Sequence, residues 1–331
     1  MDAKADVQSH RAGSRLERVL SDGGFAVTAE IAPPGSAEPM DVRRVAALLR
    51  DSTDACNVTD CQRAMVRMSA VAASVLAMQE GVEPVLQLVL RDRNRIALQA
   101  DLLGAAAIGI RNVLCLRGDP PHVGNERDAA GVYDLTTEDF LSTARDLRDR
   151  GVLRGGDHVD APPRLFLGAT ANPFGGSLEE SFENLRGKVS AGADFIQTQA
   201  IYDVDRFEEW MRLVRKEWLH EHVHILAGVI PLRSAKMAHF MAEKVPGVVV
   251  PREILHRMST APDPRAEGLS IALRTLKALQ AIEGVHGVHL MAVNWEEAVP
   301  TLVRDAGLGR RAAPQPGTGP ATSATGAPLN L

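Results

Sequence analysis

Glu30 stands in Ala29-Glu30-Ile31-Ala32-Pro33-Pro34 as a lone carboxylate among apolar neighbours. Desolvation disfavours a charged carboxylate, so such a group is a candidate proton donor. The tandem prolines fix the direction of the chain just beyond it, which argues against a freely solvated loop glutamate. A second cluster is Arg117-Gly118-Asp119-Pro120-Pro121. Its glycine lets the backbone approach a flat ligand closely. Arg117 can pair a phosphate or carboxylate, and Asp119 can accept paired N–H donors from a heterocycle. The same residues also make good turn chemistry. A third is Gln197 and Gln199, two residues apart in Phe195-Ile196-Gln197-Thr198-Gln199, and so on one face of a strand. Amides inside a fold need partners, and a ring with alternating donors and acceptors supplies them. His222 and His224 could ligate a metal, but they open their apolar run instead of closing it. His286 and His289 fall on opposite strand faces and read as structural. No metal site and no Ser-His-Asp or Cys-His arrangement is expected.

Side chains this far apart in the chain meet only if regular elements carry them to one place. Eight short β-rich runs occur at 25–31, 54–60, 84–90, 111–117, 164–170, 194–200, 223–229 and 285–293. Helical stretches such as 95–108 and 177–191 alternate with them, the pattern of βαβ units and a parallel sheet. Eight units predict a closed (β/α)8 TIM barrel of class α/β. No G-x-G-x-x-G or P-loop follows any strand, which weakens an open doubly wound sheet. Barrel chemistry sits at the C-terminal strand ends. Those ends read Glu30, Thr59 with Asp60, Gln87, Arg117 with Asp119, Thr170 with Asn172, Gln199 and Asn294, which predicts one polar site at the mouth.

The 331 residues carry a net charge of -5 and 45% hydrophobic residues, enough for a large core. The acidic balance and the 4% aromatic content give no basis for nucleic-acid binding. No run of 18 apolar residues and no secretory leader are seen, so no membrane association and a cytoplasmic location are expected. Cys56, Cys61 and Cys115 fit neither a disulfide framework nor a zinc pattern. One barrel domain is expected over 14–308. Disorder is expected in the polar segment 1–13 and in the Pro/Gly/Ala-rich tail 309–331.

The stretches VTAEIAPP, NVTD, NVLCLRGDPP, ATANPFGG, KVSAGADFIQTQAIYD and AGVIPL, spanning about 25–307, resemble the methylenetetrahydrofolate reductase family. The resemblance implies a (β/α)8 barrel that reduces 5,10-methylenetetrahydrofolate to 5-methyltetrahydrofolate. The implied donor is NADH or NADPH, acting through a flavin at the mouth, FAD by default or FMN. It implies that Glu30 protonates the folate and that Asp119 and Gln199 hold it, with Gln197 beside them. Thr59, Gln87, Arg117, Gly118, Asp119, Ala171, Asn172 and Lys188 would hold the flavin and its phosphates.

Three departures stand out. Many members have a Tyr-Pro-Glu-x-His-Pro-Glu loop where this chain has Thr170-Ala171-Asn172-Pro173-Phe174-Gly175-Gly176. The third strand ends in Gln87-Leu88-Val89-Leu90, where many have a histidine. Trp295 follows Asn294, where an arginine is frequent. These mark a divergent branch and leave a flavin-poor site open. Other readings are a folate-binding methyltransferase serving a corrinoid protein, a reductase subunit fed electrons by a partner protein, and a non-catalytic partner subunit. A homo-oligomer is equally compatible.

Overall fold

A computed structural model describes residues 10–309, so most of both termini expected to be disordered lies outside the described residues. Each predicted β-run coincides with a strand, the fifth running one residue past its predicted end. They are β1 (Ala26–Ile31), β2 (Ala55–Val58), β3 (Pro84–Val89) and β4 (Asn112–Leu116), then β5 (Phe166–Ala171), β6 (Phe195–Ala200), β7 (His224–Val229) and β8 (Val285–Leu290). All pair in parallel and in chain order, and β8 closes on β1. The closed (β/α)8 barrel is therefore the fold.

The surrounding helices are α1 (Arg15–Ser21), α2 (Pro39–Leu49), α3 (Ala70–Gln79), α4 (Arg95–Ala107), α5 (Thr137–Arg150) and α6 (Leu178–Ala191). After β6 come α7 (Val204–Lys216), α8 (Ala235–Lys244), α9 (Arg252–Thr260) and α10 (Pro264–Gln280), and α11 (Ala298–Asp305) ends the series. Their starts follow from sequence. Thr136 with Asp139, and Ser177 with Glu180, form reciprocal capping boxes on α5 and α6. Helix α7 buries Phe207, Trp210, Met211 and Val214, the i, i+3, i+4, i+7 stripe that seats a helix on a sheet.

The lower barrel is a packed floor. Ala26, Ala55, Val85, Leu114, Phe166, Phe195 and Leu226 fill it, and Leu16 and Leu20 of α1 cap it from below. Gly168 makes the floor possible, since a Cβ there would lie 2.2 Å from the Phe195 ring. Below the floor the segment assigned to the loose N-terminus is tied down from Arg11 onward, a correction to its expected disorder. The Glu17 carboxylate accepts the amides of Arg11, Ala12 and Gly13 at 2.6, 2.9 and 2.6 Å. The Arg11 guanidinium reaches Asp194 at 2.6 Å. Polar composition suggested a free end, but one buried carboxylate collecting three backbone donors orders it. No helix among the described residues is long and apolar enough to cross a membrane.

Candidate active site at the barrel mouth

Above the floor the inward side chains become polar. Thr28 and Glu30 come from β1, Asn57 from β2, Gln87 from β3, Gln197 and Gln199 from β6, and His289 from β8. Except for Thr28, they line a cavity of ≈ 430 Å³ that also touches Asp119, Ala171, Asn172 and Lys188. A second cleft of ≈ 330 Å³ continues it past Gln87, Thr170 and Asp119 to Arg91, Arg117 and Gly118. Together these are a mouth of the size and position expected for a barrel active site.

Glu30 is four-fifths buried, and its Oε1 lies 3.5 Å from Nε2 of His289. Below it is a closed polar layer. Asn57 Nδ2 donates to Gln197 Oε1 at 2.6 Å, and Gln197 Nε2 donates to Asn57 Oδ1 at 3.0 Å and to Thr28 Oγ1 at 3.1 Å. Thr28 Oγ1 lies 3.0 Å from His289 Nδ1. The Gln197 amide is thus engaged by the protein, and the residue supports the cavity floor instead of offering hydrogen bonds to a ligand. Gln199 differs. Its Oε1 accepts the Ala200 amide at 3.0 Å, where the β6–β7 register shifts, and its NH2 has no protein acceptor among the described residues. The Gln87 amide, 7% exposed, likewise has no hydrogen bond to the described protein.

Asp119 lies on the turn after β4, where Gly118 has φ +80° and a Cβ would come within 3.0 Å of the Val89 Cβ. That crowding, together with the left-handed backbone, requires glycine. One carboxylate oxygen of Asp119 accepts the Arg63 amide at 3.0 Å, which leaves the other for a ligand. Arg117 is exposed, its guanidinium carbon 4.8 Å from the centre of the Tyr133 ring. Thr59 is buried and lines neither cavity. Its neighbour Asp60 accepts the Val89 amide at 3.0 Å and pairs with Arg93 at 2.6 Å. Burial pushes the Asp60 carboxyl up, and Arg93 opposes that shift, so Asp60 is a structural tie.

Two expectations about β8 change. The strand ends at Leu290, and Asn294, four residues further along the loop, lines neither cavity; its carbonyl accepts a hydrogen bond from Arg233 at 3.0 Å. His289, read as structural, faces the cavity. His224 and His286 meet edge-to-face at the opposite end, ring centres 5.1 Å apart. Burial, with His286 adding to it, pushes the His224 imidazole down to about 4. Among the described residues no group of three His, Cys, Asp or Glu side chains is placed to hold a metal.

The flavin implied by the resemblance can be tested against the donors present. The free amides of Gln87 and Gln199 and the close backbone at Gly118 suit a flat heterocycle. The phosphate side does not fit. A resident, doubly charged diphosphate needs charge-assisted hydrogen bonds from cations free to make them. Lys188, the one lysine or arginine lining the larger cavity, is buried and donates to the Thr170 carbonyl at 2.8 Å and to Asn184 Oδ1 at 2.6 Å. Burial pushes its ammonium down, although Glu138 opposes this. Arg91 is held by both oxygens of Asp92 and by the carbonyls of Cys61 and Asp119. That leaves Arg117, which lines the second cleft and stacks on Tyr133, as a single cation for two charges.

Comparison with known proteins agrees with this architecture. Residues 15–307 match the family described as methylenetetrahydrofolate reductase. "Methylenetetrahydrofolate reductase 2" of Saccharomyces cerevisiae is 31% identical over 165 residues, covering 50% of this chain and 25% of that protein. "Methylenetetrahydrofolate reductase (NADH) 1" of Zea mays is 26% identical over 256 residues, covering 71% of this chain and 41% of that protein. The chain thus spans a quarter to two-fifths of the length of these relatives. Among solved structures, an uncharacterized Clostridium thermocellum protein that binds two copies of 5-methyl-5,6,7,8-tetrahydrofolic acid superposes with a TM-score of 0.63 at 13% identity. The superposition covers 88% of this chain and 98% of that one, and it shows a shared fold. With its family match running from the first barrel helix to the last, this chain belongs to the methylenetetrahydrofolate reductase family.

Proposed function

We propose that the chain reduces 5,10-methylenetetrahydrofolate to 5-methyltetrahydrofolate, with hydride taken directly from a reduced nicotinamide. The observation that carries this reading is the grouping of a four-fifths-buried carboxyl, Glu30, with unengaged polar groups on Gln87, Gln199 and Asp119 around one cavity. A pterin presents adjacent N–H donors and ring acceptors. Asp119 accepts from the former and Gln199 donates to the latter. Family membership and the folate bound by the Clostridium thermocellum protein support the same substrate class.

In the reaction Glu30 gives its proton to the folate nitrogen that bridges the methylene carbon. The carbon–nitrogen bond breaks and leaves an iminium at the other nitrogen. C4 of the dihydronicotinamide then transfers a hydride to the methylene carbon, giving the methyl group and an oxidised nicotinamide. Solvent returns a proton to Glu30. Holding both rings over one cavity replaces an encounter in solution with a fixed approach. A co-substrate that comes and goes does not need buried phosphate partners. Its diphosphate can lie in solvent at the rim, beside Arg117 and the exposed Arg63.

The test is turnover by purified protein with 5,10-methylenetetrahydrofolate and NADH or NADPH, alongside the visible spectrum of the same sample. The expected result is 5-methyltetrahydrofolate formation by protein with no stoichiometric flavin, and no stimulation by added FAD or FMN. Absence of product with either nicotinamide overturns the activity. Bound flavin at about one per chain, or activity strictly dependent on it, restores the flavin-dependent reading, which the free amides of Gln87 and Gln199 already accommodate.

A further inference from the structure

We propose that His289 is a positioning residue for Glu30, held by Thr28 and Gln197 in the tautomer that carries its hydrogen on Nε2. This rests on the reading of Glu30 as the proton donor. Counting hydrogens assigns the tautomer. Gln197 Oε1 faces the Asn57 NH2 at 2.6 Å, so Gln197 Nε2 is the atom facing Asn57 Oδ1, Thr28 Oγ1 and, at 3.4 Å, His289 Nδ1. An amide nitrogen can only donate. Thr28 Oγ1 therefore accepts from Gln197, and its own hydrogen is left for His289 Nδ1 at 3.0 Å or the Val288 carbonyl at 3.3 Å. The shorter contact goes to Nδ1. Both polar neighbours of Nδ1 are then donors, so Nδ1 is bare and Nε2 carries the hydrogen.

Nε2 lies 3.5 Å from Glu30 Oε1, an ion-pair distance that a small side-chain movement closes to a hydrogen bond. With the histidine N–H on the Oε1 side, the acidic hydrogen of the carboxyl is placed on Oε2, where it is available to the cavity. Once the proton has left, the same N–H stays on the carboxylate and holds it in place for the next turnover. Thr28, Asn57, Gln197 and His289 are 0%, 0%, 1% and 3% exposed, so water does not compete for this chain of bonds. The device resembles a carboxylate–histidine pair with the roles exchanged: here the carboxyl does the chemistry and the imidazole orients it.

Nitrogen-15 spectra of imidazole-labelled protein read the tautomer directly, with His289 assigned through His289→Gln. A bare Nδ1 and a protonated Nε2 are expected. A protonated Nδ1, which would follow if both amides were turned over, overturns the proposal. Turnover supplies the second readout. His289→Ala is expected to lower kcat by about tenfold and leave the folate KM within about twofold, because only the orientation of the acid is lost. His289→Gln, which can offer an amide hydrogen to Glu30, is expected to recover much of that loss. The double variant His289→Ala/Glu30→Gln is expected to be no slower than Glu30→Gln alone, because His289 acts through Glu30. Losses that multiply would show an independent role and overturn the proposal. Full activity in Glu30→Gln itself would instead remove the acid reading, and with it the purpose of His289, whichever tautomer is found. If His289→Ala does not fold, the wild-type spectrum and the glutamine variant still decide.

Discussion

Glu30→Gln is expected to slow reduction of 5,10-methylenetetrahydrofolate by about 10²–10⁴, the usual contribution of a positioned general acid. Glutamine preserves the shape at the end of β1 and can still hydrogen-bond, but it cannot deliver a proton. The contacts proposed to hold the pterin, from Asp119 and Gln199, are untouched, so the loss should appear in kcat, with the folate KM changed by less than about threefold. Steady-state kinetics with the folate varied at saturating nicotinamide separate the two. A loss confined to KM would make Glu30 a binding group. Unchanged kinetics would leave it a spectator at the cavity wall.

The largest stability effect is expected far from the mouth. Asp194, at the start of β6, pairs with Arg148 of α5 at 2.5 Å and with Arg11 at 2.6 Å, and accepts the Leu167 amide of β5 at 2.8 Å. Burial pushes its carboxyl up, and Arg148 opposes the shift. Replacing such a pair by apolar residues can be harmless, but removing one partner strands the other charge. Asp194→Ala leaves the Arg148 side chain, 3% exposed, without its buried anion and frees the Leu167 amide. A loss of about 3–5 kcal/mol is expected in urea unfolding. A loss below about 1 kcal/mol would mean that Asp149, which also pairs with Arg148 at 2.6 Å, supports the guanidinium alone.

The strands were legible because parallel barrel strands are buried on both faces and read as compact apolar runs between helices. Glu30 was legible for the converse reason, as a charge where that run should be apolar. His289 and Asn57 were not. Along β8 the pairing with β7 jumps from Val285 to Gly287, and counting alternate residues across that irregularity does not show which histidine faces the mouth. Asn57 is a single amide inside an apolar strand, and its meaning depends on Gln197, 140 residues later. Gln197 looked like a ligand group on the same logic that singled out Gln199; the amide facing it is visible only in three dimensions. Asn294 was placed by assuming that β8 runs to Val293, whereas it ends at Leu290.

If hydride passes from nicotinamide to the folate methylene carbon within one site, an isotopic label on the nicotinamide travels with it. The decisive measurement follows deuterium from NADH labelled at the transferring C4 position into the product. The expected product is 5-methyltetrahydrofolate carrying one deuterium in its methyl group, formed in ordinary water. A methyl group without deuterium would contradict direct transfer, since a label lost to solvent has passed through an exchangeable carrier. Oxidation of NADH with no 5-methyltetrahydrofolate at all would contradict the assigned reaction itself.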